Sequence, residues 1–148
     1  MVTSKNLIAI SCLWQSYDQW RGPQEHRLID SINTFTSKAR PNADIMWCND
    51  HIQEIHPKHH VKAEDLKFYD TLSIVEQYDS IFVCGWHGER CCAMKGWGTK
   101  TISFKGVRTG LITDLTVWWD HPPDENALRI SARWADLVTS VDVLRTIS

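Results

Sequence analysis

The stretch from Ser80 to Ala93 carries the side chain best suited to covalent chemistry. Its sequence is SIFVCGWHGERCCA, an apolar run of strand-like composition followed by a polar turn that Gly85 and Gly88 bracket. If a helix begins near Glu89, Cys91 lies in its first turn, just beyond the carboxyl end of a buried strand. Partial positive charge at a helix N-terminus stabilises a thiolate over a thiol, and ligand clefts of open α/β sheets lie at that edge. The pattern predicts a nucleophile at Cys91, and a packed, inert cysteine is the alternative.

Histidines form the second group of candidate side chains. Four of the seven lie between His51 and His60, after a predicted buried strand. Imidazole and carboxylate groups suit zinc, iron or manganese, so Asp50, His51 and His56 are a candidate ligand set, although a usable site needs three ligands on one side. The alternative is that His56, His59 and His60 are surface residues of an irregular loop. This alternative is favoured, so no metal or other cofactor is predicted.

The composition is that of one ordinary globular domain spanning residues 1–148, with 43% hydrophobic and 23% charged residues. A net charge of −2, with basic residues scattered along the chain, argues against nucleic acid or an acidic membrane as partner. No run approaches the roughly 18 apolar residues of a membrane span, and the N-terminus lacks the apolar core of a signal peptide, so a cytoplasmic location is expected. Five cysteines, an odd number, suit a reducing compartment better than a disulfide framework.

Alternating strand and helix patterns position these side chains. Continuous apolar runs predict strands covered on both faces, and apolar residues at three- and four-residue steps predict helices. The predicted strands are Leu7–Leu13, Asp44–Cys48, Ile81–Cys84, Thr101–Phe104 and Asp136–Val141. The first predicted helix begins near Pro23 and ends at Pro41. The other predicted helices are Asp65–Tyr78, Glu89–Gly96 and Asp124–Ala135, and a helical turn is predicted at Asp142–Ile147. Leu111–Trp119 fits either a strand or an amphipathic element. This alternation predicts a single three-layer α/β/α domain with a mainly parallel sheet.

Three segments carry a resemblance to a known family. Cys91 follows Gly85 by six positions, as in the Gly-x-x-Thr-x-x-Cys-Val turn of isochorismatase-like cysteine hydrolases, the superfamily that includes nicotinamidases and N-carbamoyl amidases. Lys62 stands six positions before Phe68, which is similar to the segment that holds the family's lysine. The part from Ala127 to Leu144 resembles the family's closing helix, strand and helix. The resemblance covers most of the chain and implies an isochorismatase-like, Rossmann-like fold.

The resemblance also implies a cysteine–lysine–aspartate site. Cys91 would attack a carbonyl carbon, Lys62 would supply positive charge, and a carboxylate would act as base, while backbone amides beside the cysteine stabilise the oxyanion. A small-molecule substrate or ligand would enter a pocket at the carboxyl edge of the sheet, and the protein would form a homo-oligomer. The residues expected to bind the substrate are Ser11, Trp86, His87 and Gly88.

The chain departs from the family at the position of the base. Ser11 stands where the family has an aspartate at the end of the first strand, and Asp18 lies further along the same loop. Gly88 replaces the threonine of the nucleophile turn, and Cys92 replaces the valine. Two predictions therefore stay open: cysteine-dependent hydrolysis of a C–N bond in a small amide or carbamoyl compound, or a catalytically inactive member that serves as a binding or assembly module. A redox role for Cys91 and Cys92 is a third.

Overall fold

Strands and helices alternate along the chain, as the sequence predicts. The computed structural model describes residues 5–13, 23–49, 55–67, 75–86, 88, 91–118 and 123–148. The strands are β1 (Asn6–Ser11), β2 (Asp44–Cys48), β3 (Leu66–Lys67), β4 (Ser80–Trp86), β5 (Arg108–Val117) and β6 (Asp136–Val138). The helices are α1 (Pro23–Ala39), α2 (Cys91–Met94), α3 (Thr99–Ser103), α4 (Glu125–Ala132) and α5 (Ser140–Ile147), and a 3₁₀ turn spans Val75–Gln77.

The six strands form one parallel sheet in the order β3-β2-β1-β4-β5-β6. The central strand β1 pairs with β2 on one side and with β4 on the other, and at its end Ser11 lies opposite both Cys48 and Gly85. The chain builds outward from β1 to β3 and then from β4 to β6, so the strand order reverses between β1 and β4. A ligand cleft is expected at the carboxyl edge beside such a reversal.

Side chains that alternate along the central strands fill two cores, one on each face of the sheet. Ile8 and Ile10 lie in the first core, which α1 and α5 complete, and Leu7 and Ala9 lie in the second, which α2, α3 and α4 complete. Burial on both faces explains why the strands are continuous apolar runs. The predicted three-layer α/β/α class with a parallel sheet is confirmed.

One predicted strand is wrong, and one undecided segment is resolved. Thr101–Phe104 belongs to α3 and the residue that ends it, because Ile102 is its one wholly buried side chain and Phe104 is exposed. A four-residue run is too short to show either a helical or a strand period, so its composition misled the prediction. Leu111–Trp119, which fitted either element, is strand as far as Val117.

The predicted helix from Asp65 to Tyr78 is wrong at both of its described ends. Leu66–Lys67 pairs with Met46–Trp47 as the edge strand β3, and Val75–Gln77 forms a 3₁₀ turn. Pairing with β2 gives the backbone groups of Leu66–Lys67 the partners that a helix would have supplied internally.

Helix boundaries follow local signals. α1 ends at Ala39, shortly before Pro41, as predicted. Asp124 caps α4 by accepting a hydrogen bond from a backbone N–H of its first turn, and Thr139 with Asp142 forms a capping box at the start of α5. Because α5 begins at this box, β6 is shorter than predicted. None of the helices in the described ranges has the length and apolar character needed to cross a membrane.

Candidate active site

The ends of β1 and β4 meet at the middle of the carboxyl edge of the sheet. Ser11, the last residue of β1, pairs with Gly85 near the end of β4. Gly85 has a φ angle of +108°, and a Cβ atom at this residue would lie 2.9 Å from the carbonyl carbon of Ser11 and closer still to its oxygen. A side chain would be strained by this φ angle and would collide with the neighbouring backbone. The close approach of the two strands therefore requires the glycine that opens the predicted turn.

Ser11 ties these two strand ends together through its side chain. Its hydroxyl donates a hydrogen bond to the carbonyl oxygen of Trp86, with 2.5 Å between the two oxygen atoms, and only 3% of the residue is exposed. A serine hydroxyl has one proton to donate. The bond to Trp86 uses that proton, so Ser11 could serve a substrate only as a hydrogen-bond acceptor. Its contact with a substrate, and that of Trp86, stay predictions.

The turn after β4 leads into α2. Gly88 is buried in this turn: its N–H donates to the carbonyl oxygen of Val117 at 2.8 Å, and a Cβ atom there would lie 2.6 Å from the ring of Trp118. Cys91 is the first residue of α2 and is partly exposed, whereas Cys92 is buried in the second core. The predicted position of Cys91, in the first helical turn beyond a buried strand, is confirmed. Its role as a nucleophile stays a prediction.

Cys91 differs from the cysteines in and next to the strands. Cys12, Cys48 and Cys84 are buried and form no disulfide. Burial raises the pKa of all three thiols far above the ordinary value, because a thiolate in the core would lose its hydration. These thiols are therefore inert at neutral pH. Cys91 is the one partly exposed thiol of the five.

The histidine segment after β2 lies against the end of β1. The N–H of His56 donates to the carbonyl oxygen of Leu13 at 2.8 Å, and the N–H of Leu13 donates to Nε2 of His59 at 3.1 Å. The ring of His59 packs against Trp47 and Trp86, with centroid separations of 5.2 and 5.9 Å. The prediction that His56 and His59 are surface residues is wrong, because they are only 7% and 5% exposed.

Burial keeps His59 neutral. It lowers the pKa of His59 to about 3, with smaller contributions from the nearby His56 and His60, of which His60 is exposed as predicted. Because Nε2 accepts from Leu13, the neutral ring carries its proton on Nδ1, and this atom has no hydrogen-bond partner in the part of the chain that the structure describes. An imidazole with so low a pKa takes up no proton at neutral pH. His59 therefore holds the loop in place and is not a general base.

Lys62 lies in a second polar cluster, just before β3. Asp65 accepts hydrogen bonds from the Arg40 guanidinium at 2.8 and 3.1 Å, from the Trp47 indole at 2.8 Å and from the Lys62 backbone amide at 2.9 Å. Burial alone would raise the pKa of Asp65, but these hydrogen bonds hold it below its ordinary value. Lys62 itself is exposed, and among the described residues no hydrogen bond or ion pair joins its side chain to α2 or to the ends of β1 and β4. Its catalytic role stays a prediction.

Comparison with known proteins places the fold. No protein-family model and no curated protein matches the sequence. An isochorismatase-like hydrolase from Alkaliphilus metalliredigens has a TM-score of 0.76 at 11% sequence identity, covering 98% of this chain and 97% of its own. N-carbamoylsarcosine amidase from Thermoplasma acidophilum has a TM-score of 0.72 at 14% identity, covering 93% and 97%. The MAR1 ribonuclease from Caenorhabditis elegans has a TM-score of 0.68 at 12% identity, covering 98% and 81%. The fold of this chain is isochorismatase-like.

The isochorismatase-like fold confirms, at the level of fold, the resemblance that the sequence predicts. Identities of 11% to 14% carry no activity from one protein to another, and proteins of this shape are named both amidase and ribonuclease. The activity of this chain therefore depends on the residues at the carboxyl edge.

Four predicted residues of the isochorismatase-like site lie outside the described residues. His87 follows β4 in the sequence and Asp18 stands between β1 and α1, so their predicted contacts are untested, and the same holds for Asp50 and His51. Within the described ranges, no three His, Cys, Asp or Glu side chains are grouped so that they could hold a metal ion. A metal site that combines His56 with Asp50 and His51 remains untested.

Sequence reasoning missed the buried roles of His59 and Asp65. Ile55 and Val61 flank the histidine segment, and both pack against the first core. One apolar residue on each side of this polar segment was the available signal that the segment packs against the core and does not project into solvent.

Proposed function

We propose that this chain hydrolyses a C–N bond of a small amide or carbamoyl compound, with Cys91 as the nucleophile. The observation that carries the proposal is the position of Cys91, partly exposed at the first residue of α2 and just beyond the end of β4. The buried cysteines cannot meet a substrate that arrives from solvent. The amidase among the proteins of the same fold supports the choice of bond by analogy.

The reaction would proceed through a thioester. The sulfur of Cys91 attacks the carbonyl carbon, the C–N bond breaks, and the nitrogen leaves as ammonia or an amine that carries the thiol proton away. Water then attacks the thioester carbon, which releases the acid and returns a proton to the sulfur. The balance needs water alone.

The oxyanion would be stabilised at the start of α2. The backbone N–H of Cys91, at the first residue of α2, adjoins the attacking sulfur along the chain and is the donor that we propose. The N–H of Gly88 is already bonded to the carbonyl oxygen of Val117. We therefore assign the oxyanion donors to the helix start and not to the glycine turn.

The second candidate function is that of an inactive member of this fold that binds a ligand or partner. Ser11 favours it, because Ser11 stands where the resemblance places the catalytic base and its proton is committed to Trp86. If hydrolysis occurs, the proton of Cys91 has to pass through another group. Asp18, seven residues after Ser11 in the sequence, is the carboxylate to test.

Ammonia release from a panel of primary amides and N-carbamoyl amino acids separates these functions. Wild type and Met94→Ala should turn over one class of substrate, and Cys91→Ala should not; Met94 is an exposed residue of the same helix and serves as the matched control. Mass spectrometry of quenched reactions should detect an acyl group on Cys91, and Asp18→Asn should slow its formation. Equal turnover by Cys91→Ala would refute the nucleophile, and ligand binding without any turnover would favour the inactive member.

A further inference from the structure

An aromatic and basic surface lies on the helical layer that covers the second core. Phe104 follows α3 and is 70% exposed. Its ring packs edge-on against Trp134, which follows α4, with 5.4 Å between centroids and 72° between planes. Nζ of Lys100 lies 5.2 Å from the centroid of the Trp134 ring. These three residues, with the adjoining Lys105 and Arg133, are called the Phe104 surface below.

The Phe104 surface lies at the opposite edge of the sheet from Cys91. Phe104 and Trp134 precede the starts of β5 and β6, whereas Cys91 follows the end of β4. Because all the strands are parallel, their starts and their ends lie at opposite edges. The proposed hydrolase site therefore does not use this surface. A phenyl ring left in water beside a second aromatic ring is a feature of interaction sites.

Positive charge collects on this side of a chain whose net charge is −2. Residues 99 to 108, from α3 to the start of β5, contain three Lys or Arg side chains and no Asp or Glu, and the exposed Arg133 adds another cation. Among the described residues, two acidic side chains adjoin this surface: Glu76 lies 3.5 Å from Nζ of Lys105, and the exposed Asp136 stands two residues after Trp134 at the start of β6. The net charge of the whole chain therefore does not exclude a nucleic-acid partner at this surface.

We propose that the Phe104 surface binds single-stranded nucleic acid without sequence preference. The exposed ring of Phe104 stacks on a base, and the cations of Lys100, Lys105 and Arg133 contact the adjoining phosphates. An acidic peptide would use the same cations but would leave the ring without a partner of matching shape. A second copy of the chain does not fit in a symmetric dimer, because the same basic surface would then face itself.

Fluorescence anisotropy with labelled oligothymidylate of about 12 nucleotides tests the proposal. Phe104→Ala and Phe104→Leu should each weaken binding about tenfold, the contribution of one stacked base. Glu76→Gln should strengthen it about threefold, because Lys105 loses its competing carboxylate. Raising the salt concentration from about 50 to about 200 mM should weaken it about 20-fold for about three phosphate contacts. Val141→Ala, at an exposed residue on the opposite face, should bind like wild type.

Three outcomes would overturn the proposal. The first is equal affinity of wild type and Phe104→Ala. The second is displacement of the oligonucleotide by polyglutamate as readily as by unlabelled oligothymidylate of equal charge, which would assign the surface to an acidic peptide. The third is a dimer that Phe104→Ala dissociates in sedimentation velocity, which would assign the surface to a second copy. Unchanged circular dichroism of each variant establishes that weaker binding is not unfolding.

Discussion

The free energy of unfolding should fall as the pH drops below neutral, because His59 is held neutral in the folded chain. Nε2 of His59 accepts the N–H of Leu13, and its ring lies between Trp47 and Trp86. Protonation would turn the acceptor Nε2 into a donor that faces another donor, and would place a charge in a site that water does not reach. The unfolded chain meets neither obstacle, so acid favours it.

Proton linkage gives the sign and the size of this effect. The pKa of His59 is lowered from 6.5 to about 3 on folding, so the unfolded chain binds a proton at a higher pH than the folded chain does. Because the folded pKa is the depressed one, the stability is fully present above about pH 6.5 and is lost progressively as the pH falls towards about 3. Between about pH 7 and about pH 5, residue 59 alone should cost about 2 kcal/mol of unfolding free energy.

Urea denaturation followed by far-ultraviolet circular dichroism measures this loss, since the fluorescence of Trp47 and Trp86 would respond to the imidazole directly. His59→Gln keeps an acceptor for Leu13 but does not titrate, so its unfolding free energy should fall about 2 kcal/mol less than that of wild type over this pH interval. His60→Gln removes only the smallest of the three causes that lower the pKa of His59, so it should keep most of the wild-type pH dependence. An unchanged pH dependence in His59→Gln would refute the reasoning.

Three further predictions follow from the contacts at the sheet edges. In native protein, iodoacetamide should modify Cys91 and leave the buried Cys12, Cys48 and Cys84 unmodified until urea is added, as peptide mass spectrometry would show. Modification of all four at similar rates would contradict the burial. Gly85→Ala should lower the unfolding free energy by about 3 kcal/mol, because the new Cβ atom would collide with the backbone of Ser11. Gly106→Ala is the control: its φ angle is +78°, but nothing lies near its Cβ position, so it should cost only about 1 kcal/mol. Equal costs for the two variants would exclude the backbone collision. Asp65→Asn should cost about 3 kcal/mol in the same denaturation assay by leaving Arg40 without its carboxylate, and a loss below about 1 kcal/mol would show that the pair is not buried in solution.

The sequence predicted those elements whose signals are local. Ile29, Ile32 and Phe35 recur at helical steps and are buried in the first core, and Pro41 marks where α1 stops. The apolar run of β4 and the glycine after it predicted both the central strand and the turn that leads to Cys91. The apolar periodicity of an element and the residue that ends it both lie within one short segment of sequence. That segment alone is therefore enough to predict the element.

The features that the sequence did not predict depend on residues far along the chain. His59 is buried where it accepts the N–H of Leu13, which lies 46 residues earlier. Asp65 is bonded to Arg40, 25 residues earlier, and the adjoining residues form an edge strand only because β2 lies beside them. The periodicity within either segment gives no sign of these distant partners. The prediction therefore followed the local composition of each segment and was wrong for both.

Two hydrogen bonds at the carboxyl edge each require an uncharged side chain. Ser11 donates to the carbonyl oxygen of Trp86, and a carboxylate at the same residue would set one acceptor against another. His59 accepts from Leu13, and an imidazolium there would set one donor against another. The resemblance places an aspartate at residue 11. A carboxylate there could not donate the hydrogen bond that holds the end of β4, whereas Ser11 does. Ser11→Asp would therefore break that bond before it could restore a base. If this chain is a hydrolase, Cys91 has to be activated from the start of α2 and from residues beyond β1.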